Sequence, residues 1–276
     1  MTSAFSTFAL PLFVPADRPE RYGKAFASGA DATIIDLEDA VGLADKDRAR
    51  TSLLAARAIV ASASCPVIVR VNPEATAFHA ADLASLEGLG LLAVMVPKVE
   101  RPDTVRRVAE ATRRPVLALI ESARGLAAAR EVALAGARLV FGSFDYSADL
   151  GCAHTRDALL LARLELVVAS RLADGPPPID GVTTAIREPE AVRDDAAYAA
   201  SLGFGGKMLI HPAQVEPATA GFRPTAAELA WADRVLAAGR EGGAATVDGA
   251  MIDAPVRLRA EQIQRRASRP GPGEAR

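Results

Sequence analysis

Eight short apolar runs, spaced so that a helix fits between each pair, constrain this 276-residue chain more than any other feature. They are Leu10–Val14, Thr33–Leu37, Val67–Val71, Ala93–Val96, Val116–Ile120, Arg138–Gly142, Ile179–Val182 and Met208–Ile210. Each is rich in aliphatic residues and bounded by Gly, Pro or charge, which reads as a strand. The runs are continuously apolar and do not alternate, as expected of a parallel sheet covered on both faces. The segments between them, such as Ala127–Ala135, have helical composition and the length of a crossover. Eight strand–helix units without a break in composition predict one (β/α)8 TIM barrel over residues 8–215. An open doubly wound sheet is the alternative, but no G-x-G-x-x-G follows the first run.

Residues 216–267 read as a C-terminal helical extension. Thr225 and Glu228 have capping-box spacing at the start of a helix reaching about Ala238. The glycine pair Gly242–Gly243 follows, and then VDGAMIDAPVRLRAEQIQRRA. A closed barrel offers no edge for a ninth strand, so this piece is expected to pack outside the barrel or on a neighbouring subunit. The tail 268–276, SRPGPGEAR, is expected to be disordered.

Composition narrows the class. With 50% apolar residues the chain can bury a sizeable core, which excludes disorder. A net charge of −2 leaves no electrostatic footprint for nucleic acid. No apolar run approaches the ~20 residues that span a bilayer. The start, MTSAFSTFALPLFVPADR, has no basic segment ahead of its apolar stretch and does not read as a secretory signal. Cys65 and Cys152 are too few for a disulfide framework and lack metal-site spacing. A cytoplasmic enzyme is the expectation. Lysine is scarce, at Lys24, Lys46, Lys98 and Lys207 only, and arginine carries the remaining positive charge.

In such a barrel the chemistry collects where strands end. Strand two ends in Asp36, Glu38 and Asp39, strand three in Arg70 and Asn72, and strand four in Lys98. Strand five ends in Glu121, strand six in Gly142-Ser143-Phe144-Asp145, strand seven in Thr183 and strand eight in His211. Glu121 and Asp145, on neighbouring strands with no Cys or His nearby, suit a hard cation such as Mg²⁺. One of them capping the next helix is the plainer alternative. Arg70 either clamps a substrate carboxylate or neutralises Glu121. The Asp36–Asp39 run supplies a supporting network or a base, with Asp39 the catalytic candidate, or else charge for the next helix. Lys98 and Lys207 raise a Schiff-base reading, but neither has a flanking group that would depress its pKa. His211 reads as a structural strand terminus, His79 and His154 as loop residues without partners, and Asp149 as a second carboxylate after strand six.

Eight motifs occur in order: LFVPADRPERYGKA, TIIDLEDAV with DKDRAR, VIVRVN, VPKVE, LIESARG, FGSFDYSADLG, GFGGKMLIHPAQ and VDGAMIDAP. Together they resemble the citrate lyase β-subunit (CitE-like) branch of the HpcH/HpaI aldolase superfamily, from about Leu10 to Ala260. The resemblance implies a Mg²⁺-dependent TIM-barrel carbon–carbon lyase, usually trimeric, acting on 3-hydroxyacyl-CoA thioesters such as citryl-, malyl- or citramalyl-CoA. It implies Glu121 and Asp145 as metal ligands and Arg70 as the residue holding the oxoacid carboxylate. By the same resemblance Arg21 and Lys24 contact CoA, and Asp253 reaches an adjacent subunit's site as a catalytic group. Ala16 departs from the pattern, standing where glycine is common. Two alternatives stay open: an HpaI-type aldolase on free hydroxy-oxoacids, and a citrate lyase subunit active only with partner subunits.

Overall fold

Parallel pairing runs unbroken from the first strand to the eighth in the computed structural model, which describes Phe5 and residues 8–238 and 246–268. The strands are β1 (Pro11–Pro15), β2 (Ala32–Asp36), β3 (Val67–Arg70), β4 (Ala93–Val96), β5 (Val116–Ile120), β6 (Arg138–Phe141), β7 (Ile179–Asp180) and β8 (Gly206–Lys207). Leu209 closes the ring by bridging Leu12, with Phe13 N–H donating to Leu209 O and Leu209 N–H to Pro11 O, both at 2.9 Å. A helix follows each strand, so the closed (β/α)8 barrel expected from the apolar runs is the fold.

The last strand begins two residues before the Met208–Ile210 run. The cause is steric: a Cβ on Gly206 would lie 1.9 Å from Ala9 O, so only glycine lets β8 approach the chain entering β1. Hydrophobicity carries no signal at such a position.

Side chains alternate between two cores. Ala32, Ile34, Ile68, Met95, Leu117, Leu119 and Val140 fill the barrel interior, with Phe5 and Phe8 among them. Ile35, Val67, Val69, Val94, Val116, Ala118 and Leu139 face the helices. Arg138 sits at the opposite end from the mouth, donating to Phe8 O at 2.8 Å and Pro177 O at 3.0 Å while stacking 4.6 Å from the Phe8 ring.

The helix Val215–Phe222 packs on Pro189–Leu202, its Gly221 so close that a Cβ would meet Arg193 O at 2.4 Å. The outer layer therefore runs to Phe222, seven residues past the boundary read at 215. Beyond it, Thr225 and Glu228 form the reciprocal cap: Glu228 N–H donates to Thr225 Oγ1 at 3.1 Å and Thr225 N–H to Glu228 Oε2 at 2.7 Å. Helices Ala226–Ala238 and Ala254–Ala267 share a small core of their own, built from Ala232, Val235, Ala260 and Ile263. Between them Thr246–Val247 pairs antiparallel with Ala250–Met251 across the turn Asp248-Gly249, whose φ angles are 52° and 79°. An Asp-Gly pair is a hairpin signal, so the segment read only as apolar is a two-stranded ribbon. Residues 269–276, nearly all of the tail expected to be disordered, lie outside the described residues. Among the described residues no helix is long and apolar enough to cross a membrane.

Candidate active site

The alternation that fills the barrel also builds its mouth. Inward parity runs Ala32, Ile34, Asp36 on β2; Ile68, Arg70 on β3; and Leu117, Leu119, Glu121 on and just after β5. Three charged groups thus emerge at the ends of β2, β3 and β5, directly above an apolar plug.

Asp36 and Arg70 are cross-strand partners. Arg70 Nε donates to Asp36 Oδ1 at 2.7 Å and Nη2 donates to Oδ2 at 2.6 Å, a two-bond fork. The guanidinium lies 4.8 Å from the Phe13 ring centroid. Nη1 lies 2.8 Å from Glu38 Oε2 and 3.7 Å from Asp39 Oδ2. The approach to Glu38 misses hydrogen-bond geometry, so that buried oxygen has no hydrogen-bond donor. Arg70 therefore neutralises Asp36 and Glu38 and not Glu121, its Nη1 facing the carboxylates of Glu38 and Asp39. Burial acts to raise the Asp36 carboxyl, but Arg70 outweighs it and holds the pKa low. For Glu38 burial wins over Arg70 and Lys98, and the pKa is raised.

Within the Asp36–Asp39 run, the side chain that turns into the mouth is Glu38, 5% exposed, whereas Asp39 is 61% exposed. Asp39, with Oδ2 3.7 Å from Arg70 Nη1, stands on the solvent side of the same cluster. Two side chains fix the Leu37–Glu38 backbone. Lys46 Nζ donates to Leu37 O at 2.9 Å and Glu38 O at 2.8 Å, and Asn72 Nδ2 donates to Leu37 O at 3.0 Å. Asp82 in turn accepts from Asn72 Nδ2 at 2.6 Å and pairs with Arg50 at 2.8 Å.

Lys98 is the hub of the mouth. Its Nζ stands 3.4 Å from Glu38 Oε1, 4.0 Å from Glu121 Oε1 and 3.9 Å from Asp145 Oδ1. Its backbone is left-handed, φ 52°, and its N–H donates to Glu121 Oε1 at 2.8 Å. Such strain in a residue other than glycine persists where surrounding structure enforces it, and it concentrates at functional sites. Burial acts to lower the ammonium pKa, but Glu121, Glu38 and Asp145 outweigh it and raise it. Lys98 is a fixed cation and no Schiff-base amine. Lys207 is excluded differently: it has outward parity, is buried, and donates to Gly181 O at 2.7 Å.

Glu121 is pushed up to about 8, chiefly by burial, with Glu38 and Asp145 adding repulsion and Lys98 opposing them. A buried carboxylate and a half-exposed Asp145 flanking one ammonium form a pocket for positive charge. The donor set fits a hard cation that takes one or two protein carboxylates and fills its remaining positions with water and substrate oxygens. Among the described residues no group of three or more His, Cys, Asp or Glu could hold a metal.

The other sequence candidates sort by position. Arg21 and Lys24 are exposed in the turn Pro19–Arg21 and the helix Tyr22–Phe26, just past β1, and neither forms an ion pair among the described residues. That loop is anchored by Tyr22 Oη donating to Ala16 O at 2.9 Å. Ala16 is buried and is not among the positive-φ residues, so glycine is not required there. Asp253 is exposed and caps the helix Ala254–Ala267, accepting from Val256 N–H at 3.0 Å. Asp149 accepts from Ala123 N–H at 2.7 Å. His79 and His154 do have partners: His79 Nδ1 bonds Asn72 O at 2.7 Å, and His154 bonds Ser143 Oγ at 2.9 Å while stacked on Phe144. His211 caps the turn Pro212–Gln214, as its strand-terminus reading predicted.

With this geometry in place, a family model described as HpcH/HpaI aldolase/citrate lyase matches residues 10–212. The chain belongs to this family. A citrate lyase subunit beta-like protein of Mycobacterium tuberculosis (strain CDC 1551 / Oshkosh) is 39% identical over 271 residues, 93% of this chain and 94% of that protein. A (3S)-malyl-CoA thioesterase of Cereibacter sphaeroides (strain ATCC 17029 / ATH 2.4.9) is 36% identical over 257 residues, 89% of this chain and 90% of that protein. Among solved structures, CitE from M. tuberculosis in complex with magnesium, acetoacetate and coenzyme A superposes with a TM-score of 0.85 at 36% identity. That match covers 96% of this chain and 99% of the other.

Within this HpcH/HpaI family member, sequence reading missed Glu38 as the inward carboxylate, Lys98 as the hub, and the Lys46–Asp82 support. Parity could have found Glu38, which continues the inward series Ala32, Ile34, Asp36. Nothing in the sequence marks Lys98 as left-handed, and Asp82 lies in a helix far from any strand end.

Proposed function

We propose that this chain is a Mg²⁺-dependent carbon–carbon lyase that cleaves, or forms, a 3-hydroxyacyl-CoA thioester, giving acetyl-CoA and a 2-oxoacid. The observation that carries the reading is Lys98 Nζ within 4.0 Å of Glu121, Asp145 and Glu38, beside the Arg70 fork. Family membership and relatives named for citrate lyase and malyl-CoA support the same class.

Glu121 and Asp145 would hold the metal. Bound Mg²⁺ supplies Lewis acidity where the oxygen that becomes the oxoacid carbonyl gains negative charge. Arg70, oriented by Asp36 and Phe13, would share Nη1 between Glu38 and the oxoacid carboxylate. Lys98 keeps its positive charge and balances the Glu38–Glu121–Asp145 cluster. Arg21 and Lys24, exposed past β1 and without an ion pair among the described residues, would meet the phosphates of CoA. Glu38 and Asp253 are the candidates for moving the hydroxyl proton, Asp253 by way of a neighbouring copy. The extension packs chiefly on itself and exposes Met251 and Leu258, which favours burial on another subunit of a cytoplasmic homo-oligomer, a trimer by the family pattern.

Mass spectrometry of citryl-, malyl- and citramalyl-CoA incubated with and without Mg²⁺ tests the reading. Acetyl-CoA plus a 2-oxoacid, formed only with Mg²⁺, is the expected result. Free CoA plus an intact hydroxyacid would show thioester hydrolysis instead. Arg70→Lys is expected to lose roughly a hundredfold in kcat/KM, because a point charge copies neither the fork nor the stack on Phe13. Full retention would remove Arg70 from carboxylate binding.

Gly142 bears on the same metal site. A Cβ there would lie 2.4 Å from Glu121 Cβ and 2.5 Å from Oε2, so Gly142→Ala must displace the Glu121 carboxylate. Mg²⁺ affinity measured by calorimetry is expected to fall roughly tenfold or more with the barrel still folded. Unchanged affinity would show that Glu121 needs no such seat.

A further inference from the structure

Beside the metal-site carboxylates lies a cavity of about 780 Å³ that the mechanism above leaves unused. Its walls come from the loops after β3, β4 and β5, and Lys98 stands in the wall shared with the carboxylate cluster. Arg101 and Arg124 line it, both exposed, and neither guanidinium forms an ion pair or hydrogen bond among the described residues.

The acidic residues of the cavity are already engaged. Glu74 accepts from Thr104 Oγ1 at 2.6 Å and from Arg107 Nε at 2.9 Å, and Glu100 accepts from Ser122 Oγ at 2.8 Å. Lys98 is already matched by Glu38, Glu121 and Asp145, and Glu74 by Arg107, so the uncommitted charge on these walls is that of Arg101 and Arg124 against the single carboxylate of Glu100, whose partner is a neutral hydroxyl. The two loops that carry the arginines are pressed together: a Cβ on Gly125 would lie 2.8 Å from Val99 O. Ala123 N–H donates to Asp149 Oδ2 at 2.7 Å and fixes the second loop. The arginines thus stand on backbone fixed before an anion arrives, and only their side chains have to be ordered on binding.

Resting on the lyase reading, we infer that this cavity is a subsite for a second, distal carboxylate of the oxoacid, recognised by Arg101 and Arg124. The substrate class is then a dicarboxylic 2-oxoacid and the thioester built on it, in preference to a monocarboxylic one. A two-carbon acidic arm extending from the metal-site end enters the positive cavity, whereas a methyl group leaves both guanidiniums solvated and gains nothing from them. CoA arrives from the Arg21–Lys24 side, past β1, which is across the barrel from β4 and β5.

The test is calorimetric binding of oxaloacetate and of pyruvate, each with Mg²⁺ and without CoA, to the wild-type and Arg101→Ala/Arg124→Ala proteins. The double variant is expected to bind oxaloacetate roughly tenfold more weakly or worse, with pyruvate affinity within about twofold of wild type. Equal losses for both oxoacids, or no loss for either, overturn the subsite while leaving the lyase reading standing. A loss confined to CoA, measured separately, assigns the arginines to its phosphates and also overturns it. Failure of the wild-type protein to bind either oxoacid with Mg²⁺ sinks the lyase reading, and the subsite with it.

Discussion

Glu121→Gln is expected to abolish Mg²⁺-dependent thioester cleavage and to leave the barrel folded. Glutamine keeps the shape that accepts the Lys98 N–H at 2.8 Å, so the left-handed turn at Lys98 retains its anchor. What disappears is half of the anionic pair that would hold the cation, and Mg²⁺ affinity should fall more than roughly a hundredfold, beyond the loss typical of an outer-shell change. Titration calorimetry with Mg²⁺ and oxaloacetate reads this directly, and wild-type heats would remove Glu121 from the metal site.

The same substitution should change how stability depends on pH. In the chelated protein the Glu121 pKa sits at about 8, against an ordinary 4.5, chiefly because the group is buried. Between those two values the folded state binds more protons than the unfolded one, so stability falls as pH rises through that window. Glutamine does not titrate. With EDTA present, the Tm of the wild-type protein should drop more steeply from pH 5 to pH 8 than that of Glu121→Gln. Parallel curves would show that the buried carboxyl is not the cause.

Glu121 and Glu38 are both legible once alternation is carried past the ends of β5 and β2. Asp36, Arg70 and Glu121 follow their strands by strict alternation, and a period of two carries from an apolar residue to the charge that succeeds it. Glu38 lies two residues past the end of β2 yet keeps the parity of Ile34 and Asp36, as Leu37 keeps that of Ile35, so alternation carried two residues further marks Glu38 as the inward carboxylate. Its inward direction depends on Lys46 and Asn72 gripping Leu37 O and Glu38 O, contacts between residues whose sequence spacing means nothing by itself. Lys98 illustrates a second limit. A lysine after a strand is an ordinary surface residue until its φ and its three carboxylate neighbours are known. The last strand shows a third, since a close approach of backbones selects glycine, and glycine at Gly206 leaves no apolar trace.

Asp253 poses the sharpest question about assembly. Within one protomer it is exposed and caps a helix, so its structural role is already visible. Capping is worth about 1 kcal/mol, and Asp253→Ala would confuse a lost cap with a lost acid. Asp253→Asn separates them, because asparagine caps a helix as well as aspartate does and carries no titrating carboxyl. If Asp253 moves a proton at the site of a neighbouring copy, Asp253→Asn should keep the wild-type Tm and lose roughly a hundredfold or more in kcat. The extension makes such a reach plausible in physical terms: its helices bury their apolar residues mainly against each other, and its ribbon leaves Met251 69% exposed beside Ile252 and Asp253. Covering that edge with another barrel would hide the methionine and carry the carboxylate along. Mixing then decides the matter. Asp253→Asn and Glu121→Gln proteins, each inactive alone, should recover part of the wild-type activity when unfolded together and reassembled, because some mixed sites receive both intact groups. Hybrids confirmed by native mass spectrometry that stay inactive would confine Asp253 to its cap.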